Sequence, residues 1–207
     1  MAKIQQQFSQ EDGELIARET CFKGFFKIDR LELRHKLFAG GWSNVMQREI
    51  FIRADATCVL PYDPMEGTVV LLEQFRAPIM GQNQSPWLVE LVAGMNEEGE
   101  IPENVAAREA KEEADLELLE LEPIMEYLVS PGGSTEKVYL YCAKVDSLGV
   151  GGIHGLEEEN EDIKVHVVSF ESAIEMLNSG QINNAAAIIS LQWLILNKDR
   201  LDAKWKS

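Results

Sequence analysis

Gly94–Leu116 reads GMNEEGEIPENVAAREAKEEADL. From Pro102 onward the run has helix length, and Pro102 suits a first turn because its missing N–H would have no partner there anyway. Residues three and four apart share a helix face. Glu109 therefore neighbours Glu112 and Glu113, and Arg108 lies one turn from Glu112. Three carboxylates on one turn repel, which raises their pKa values and weakens the helix unless a counter-charge is supplied. A hard divalent cation removes that cost: Mg²⁺ takes a few carboxylate oxygens and leaves room for water and substrate phosphates. Ala106, Ala107, Ala110 and Ala114 are small and predict an opposite face lying close to a sheet. The order is loop, helix, loop, with the loop and one helix face forming an acidic pocket.

A glutamate-rich helix is most often a solvated face, and the REAKEE core alone argues little more than that. The whole stretch is more specific. It resembles the Nudix box: Gly94, Glu100, Arg108, Glu109, Glu112, Glu113 and the apolar Leu116 all stand in its register. The box's last glycine is Asp115 here. Such a glycine suits the left-handed residue that ends a helix, and Asp is among the few others that visit that conformation. The expected consequence is a small local cost at the exit turn, with the glutamates unaffected.

The chain has 207 residues, enough for one ordinary domain plus a smaller one, and its 45% hydrophobic content supports a real core. The formal net charge is −16. Such a surface repels nucleic acid and anionic membranes, so neither is an expected partner. Cys21, Cys58 and Cys142 are odd in number and lack a CxxC spacing, which points to buried thiols in a reducing compartment. MAKIQQQFSQ, residues 1–10, has no apolar signal core, and the apolar stretch 185–196 is too short to span a bilayer. The cytoplasm is the expected setting.

Along the chain, strand-like patterning covers 19–38 with Gly24 as a bend, then 44–53, with a turn at 39–42. Residues 1–18 read as irregular at first. A second strand series follows at 54–60, 69–76 and 87–93, with a turn-rich loop at 61–67. After the box helix come strands at 118–129 (Pro123 implying an edge), 137–145 and 163–168, and a long loop at 146–162. Helices are predicted at 169–178, closed by Gly180, and at 184–198 with Asn183 or Asn184 as N-cap. Strands flanked by helices predict an α/β fold, an α/β/α sandwich with a mixed sheet. A small antiparallel sheet from residues 1–54 would have little core of its own and must lean on the rest of the chain or on another subunit.

The resemblance implies the same fold, a Nudix domain over 55–207. The small N-terminal β-sheet domain, 1–54, looks like that of the ADP-ribose pyrophosphatase branch. In that branch the N-terminal domains exchange within a homodimer, and the active sites are shared between chains. The resemblance also implies Mg²⁺, two or three per site with Mn²⁺ as a substitute. Its ligands would be Glu109, Glu112, Glu113 and the Ala93 carbonyl, with Arg108 orienting a glutamate and Glu100 fixing the box. The lid segment GLEEENEDIKVHVV (155–168) looks like the branch's mobile loop, which places the catalytic base at Glu159 and a further metal ligand at Glu161. Glu157 and Glu158 are the substitutes. A proline at Pro131, fifteen residues past Leu116, accompanies ADP-ribose-specific members, though a turn would want one there anyway.

Two phosphates need cations, and arginine offers bidentate contacts that lysine does not. Arg76, at a strand end before the box, is the best candidate, followed by Arg48 and Arg53. Adenine would stack on an aromatic ring, for which Phe25 and Trp42 are the candidates. Met95 and Glu136 are further pocket residues. The expected reaction is hydrolysis of ADP-ribose to AMP and ribose 5-phosphate. The alternatives are another nucleoside diphosphate-sugar, such as GDP-mannose or ADP-glucose, and a non-catalytic ADP-ribose-binding regulator.

Overall fold

The structure is a computed structural model and describes residues 3–156, 158 and 160–206. It divides into two units: residues 1–54 with 128–136, and residues 55–127 with 137–207.

The smaller unit is a three-stranded antiparallel sheet of β1 (Gly13–Lys23), β2 (Lys27–His35) and β3 (Met46–Ile52) in that order. The region read as one bent strand is thus a hairpin turning at 24–26, and β1 starts before the predicted boundary. Residues 130–135 run along β3: the Phe51 N–H donates to the Gly133 carbonyl at 2.8 Å, and the Thr135 N–H donates to that of Phe51 at 3.1 Å. Asp29 in β2 is fully buried beneath Arg18, Lys27 and Thr20. All eleven residues of β1 are exposed, Cys21 among them, so that thiol is not buried as expected. A sheet this thin has no second layer of its own in which to hide it.

The larger unit is built on one mixed sheet. Its strands are β4 (Ala56–Asp63), β5 (Thr68–Phe75), β6 (Trp87–Glu90), β7 (Val92–Met95), β8 (Glu120–Leu128), β9 (Lys137–Lys144), β10 (Gly152–His154) and β11 (Ile163–Ser169). The order is β10-β11-β5-β4-β9-β8, with β6 on β5 and β7 on β4. β4 and β9 are parallel, which their long connection allows. β8 ends the sheet, as Pro123 demands.

β4 and β5 pair only beside their turn, at Tyr62↔Val69 and Asp63↔Thr68. Beyond it β6 lies on β5 and β7 on β4. The run 87–93 is therefore two strands, broken at the buried Leu91, and not one. An apolar run in a sequence does not reveal that it changes neighbours halfway.

Successive side chains point to opposite faces of a sheet, and the strands use both. Val69, Leu71, Leu60 and Cys142 pack against α3 (Ala185–Trp205) and α2 (Phe170–Ser179). Val70, Leu72, Val59 and Ala143 pack against α1 (Pro102–Ala114). The result is the expected α/β/α sandwich. α2 carries a Ser169 N-cap and ends at Gly180 with φ 80°; Asn184 caps α3. α3 extends seven residues beyond the predicted end because Leu201 and Trp205, one turn apart and fully buried, continue its apolar stripe. Among the described residues no helix is long and apolar enough to cross a membrane.

Candidate active site

α1 begins with Pro102 in its first turn and stops at Asp115, whose φ and ψ are 49° and 35°. The Asp115 N–H donates to the Lys111 carbonyl at 3.1 Å and the Leu116 N–H to that of Ala110 at 2.9 Å. The first is the 5→1 bond of the αL helix-ending motif, with Asp in the place glycine usually takes. The buried stripe of α1 is Val105, Ala106, Ala110, Glu113 and Ala114. Ala107 is exposed, contrary to the reading of four alanines on one face, because it shares its side with Lys111.

A carboxylate on that stripe must find a partner. Glu113, only 3% exposed, accepts a hydrogen bond from the Ala93 N–H in β7 at 2.8 Å. One residue further along β7, Glu109 lies directly over Gly94: a Cβ added there would stand 1.7 Å from Glu109 Oε1. Glycine is thus required by the helix carboxylate that crosses it, and the first residue of the box is tied by contact to its sixteenth, Glu109.

Arg108 gathers the remaining acids. Its Nη1 donates to Glu109 at 2.6 Å and to Glu112 at 3.3 Å, and its Nε to Glu100 at 3.4 Å. Glu100 also accepts from the Glu97 N–H at 3.1 Å, closing the loop before the helix. Burial pushes the Glu113 carboxyl up to about 8, with the charges of Glu109 and Glu161 adding to it and the Ala93 N–H and Arg76 opposing it. Burial also raises Glu109 above the usual carboxylate range, against the pull of Arg108.

Glu161 therefore faces this pair electrostatically. Its own loop holds it: the Leu156 N–H donates to its Oε2 at 3.2 Å, and its N–H donates to the Leu156 carbonyl at 3.1 Å. Gly155, at φ 102°, lets the chain pass against the Glu161 side chain. Glu159 and Glu157 lie outside the described residues; Glu158 is exposed. The long loop also contains β10, which the sequence did not announce.

Oxygen donors only, an excess of carboxylates and a buried acid with a raised pKa suit a hard divalent cation. Among the described residues no three potential ligands stand close enough together to hold one. Glu109 and Glu112 are drawn to Arg108, and Glu113 to Ala93, so the donor chemistry fits while the side chains are turned aside.

Arg76 follows β5, and its Nε donates to Glu90 Oε2 in β6 at 2.7 Å. Glu90 escaped the sequence reading. The signal was one carboxylate within the otherwise apolar WLVELVA. Met95 is exposed beside Gly94.

The other candidates belong to the smaller unit. Arg53 Nη1 pairs with the buried Glu136 at 3.1 Å, and its guanidinium lies over Phe26 at 5.0 Å. Phe25 is 84% exposed and meets Phe26 edge-on at 4.8 Å. Trp42 lies beneath Arg34, at 4.8 Å, and Lys36. Arg48 is exposed and donates to the Gln47 carbonyl. Phe25 precedes β2 and Trp42 bridges to Lys36 beyond its far end. At the rise of a strand they are more than about 25 Å apart, so one copy of this sheet does not bring both rings to one base.

A pocket of about 490 Å³ opens at the C-terminal end of α1, lined by Asp115, Glu117, Asp146, Leu148 and His154 among others. None of the box glutamates lines it.

A NUDIX domain model matches residues 52–189. An ADP-ribose pyrophosphatase of Haemophilus influenzae is 48% identical over 209 residues, covering 100% of this chain and 96% of the relative. One of Escherichia coli K12 is 48% identical over 198 residues, covering 96% and 95%. A GDP-mannose pyrophosphatase of Yersinia pestis is 33% identical over 189 residues, covering 87% and 90%. A crystal structure of an ADP compounds hydrolase matches with a TM-score of 0.68 at 17% identity, over 97% of this chain and 100% of that one, a likeness of fold. With glutamates 109 and 113 of α1 seated on residues 93 and 94 of β7, and the family model spanning most of the chain, this protein belongs to the Nudix hydrolase family.

Proposed function

We propose that this Nudix hydrolase splits ADP-ribose with water into AMP and ribose 5-phosphate. The observation that carries it is the seating of the buried Glu113 and the half-buried Glu109 on β7, with the Arg76 guanidinium on the neighbouring β5–β6 pair. Acids that need cations and a guanidinium that needs an oxyanion suit a diphosphate bound with its counter-ions. The choice of ADP-ribose rests on relatives of that name at 48% identity over nearly the whole chain. GDP-mannose is the second reading, favoured by a relative at 33%.

Bound Mg²⁺, two or three ions with Mn²⁺ as substitute, supplies neutralisation of phosphate charge and a lowered pKa for water. Glu109, Glu112, Glu113, Glu161 and the Ala93 carbonyl would hold it. Arg108 orients a glutamate once the cations draw the carboxylates inward, and Arg76 binds a phosphate. Water adds to one phosphorus, the bridging P–O bond breaks, and the water's proton passes to Glu159. Closure of the lid segment, 155–168, would exclude stray water.

In the same reading the functional boundary follows Ala54. A homodimer presents Phe25, Trp42, Arg48, Arg53 and Glu136 of the smaller unit to the substrate, and Met95 is a further pocket residue. The exposure of the Phe25 ring supports its use for stacking on a base. Three free thiols support a cytoplasmic setting.

Product analysis with Mg²⁺ tests the substrate. ADP-ribose, GDP-mannose, ADP-glucose, NADH and a diadenosine polyphosphate are compared, and AMP with ribose 5-phosphate is expected fastest from the first. Faster release from GDP-mannose would replace the substrate but keep the site. Sedimentation that finds an active monomer would remove the shared-site dimer.

A further inference from the structure

We propose that Glu90 is a positioning residue that aims Arg76 at a substrate phosphate. The inference rests on Arg76 being the phosphate-binding cation of the proposed reaction.

β6 is antiparallel to β5, with Leu72↔Glu90 and Gln74↔Leu88 in register, and the Arg76 N–H donating to the Pro86 carbonyl at 2.8 Å continues the ladder. Residues directly opposite share a face, and so do residues two apart in one strand. Leu72, Gln74, Arg76, Leu88 and Glu90 therefore lie on one face. It is the face of α1, since Leu72 packs with Ala106, Ala110 and Ala114.

On that face Arg76 folds back along β6 until its Nε meets Glu90 Oε2 at 2.7 Å. The Glu90 side chain is only 15% exposed, so the carboxylate itself has little freedom to follow a moving partner. The contact uses the Nε edge. The two Nη groups have no hydrogen-bond partner among the described residues, and their paired N–H bonds are the part of a guanidinium that matches two oxygens of a phosphate. α1, the helix that carries the box carboxylates, packs on this same face.

Gln74 supplies an independent sign of a ligand. It is 6% exposed, lies on the same face two residues before Arg76, and its buried Nε2 has no hydrogen-bond partner. A buried donor without an acceptor is costly and uncommon in native proteins. An oxyanion gripped by Arg76 would bring acceptor oxygens to that side of β5. A lone arginine at a strand end would sweep many rotamers, and binding would have to freeze it. Glu90 removes that freedom beforehand without occupying the Nη pair.

The test is a double-mutant cycle on the full chain with Mg²⁺ and ADP-ribose, using Glu90→Ala, Arg76→Ala and the double variant, with Glu90→Gln as the conservative control. Glu90→Ala is expected to raise KM on the order of tenfold with little change in kcat, as for partners within one polar network. Glu90→Gln keeps a carbonyl that accepts from Nε and is expected to recover most of the loss. In the Arg76→Ala background, Glu90→Ala is expected to add nothing. An equal loss in both backgrounds, or a KM unchanged by Glu90→Ala, overturns the proposal. If Arg76→Ala alone leaves KM unchanged, Arg76 is not the phosphate cation and the inference falls with it. If the wild-type protein releases no AMP from ADP-ribose, the substrate reading fails separately. The same proteins are then titrated with inorganic pyrophosphate and Mg²⁺: equal affinities overturn the role of Glu90, and weaker binding by Glu90→Ala that Glu90→Gln restores supports it.

Discussion

Glu113 Oε2 and the backbone N–H of Ala93 are joined by a 2.8 Å hydrogen bond, from the last turn of a helix to the middle strand region of a sheet. The bond gives a buried carboxylate one donor while leaving it further lone pairs. It also fixes the helix against the strand residue whose own carbonyl is a proposed ligand.

Glu113→Gln should therefore separate chemistry from folding. The amide can still accept from Ala93, so thermal unfolding should change little. AMP release should fall at least about a hundredfold, the scale on which ligand losses act at metal sites. Turnover equal to wild type, with the fold intact by circular dichroism, would take Glu113 out of the chemistry.

Gly94→Ala tests the crossing of helix and strand. The new Cβ would sit 1.7 Å from Glu109 Oε1 and 2.0 Å from its carboxyl carbon, so Glu109 must leave its place. The expected result is loss of most activity with a modest drop in stability, about 1–3 kcal/mol as for other overpacking changes. Full activity in steady-state assays would show that Glu109 is free to sit elsewhere.

Asp115→Gly should stabilise the protein. Asp115 occupies the left-handed region at φ 49°, which glycine enters without the Cβ penalty. The lost ion pair with Lys111 is exposed and worth little. A gain of about 0.5–1 kcal/mol in urea unfolding is expected. A loss would mean that the Asp side chain contributes more at this turn than its conformation costs.

Asp29 predicts a pH effect. Burial alone would raise its pKa, but hydrogen bonds from Lys27, Thr20 and Arg18 outweigh it and hold the carboxyl at about 2. The unfolded value is near 3.9 (approximately, from model peptides). The native state thus favours the ionised form, and that stabilisation is complete above the unfolded value and fades as pH falls through about 4 towards 2. Melting curves of wild type and Asp29→Asn should differ most near neutral pH and converge as the solution is acidified. A constant gap would refute the assignment.

Trp205 ties the end of α3 to the sheet. It is buried, packs near Tyr62 at 6.4 Å between ring centroids, and donates from Nε1 to Glu120 at 3.1 Å. Trp205→Ala should cost about 3–5 kcal/mol in denaturant unfolding. A change below about 1 kcal/mol would show that the last turn is dispensable.

The sequence by itself determined the helix of the site, its acidic composition and the layer order. Those follow from spacing along one chain: period 3.6 in Pro102–Ala114, apolar strand runs, and a left-handed stop that Asp115 can adopt. What only the tertiary structure decided is which groups meet. Gly94 under Glu109, Ala93 against Glu113 and Glu90 against Arg76 each join different secondary-structure segments. The break at Leu91 that sends β6 to one neighbour and β7 to another leaves no mark on local hydrophobicity. Arg108 shows the limit from the other side: its i,i+4 partner Glu112 could be read from the helix period, but its reach to Glu100 depends on how the preceding loop folds back. Local periodicity is a property of a segment, whereas pairing between segments is a property of the whole fold.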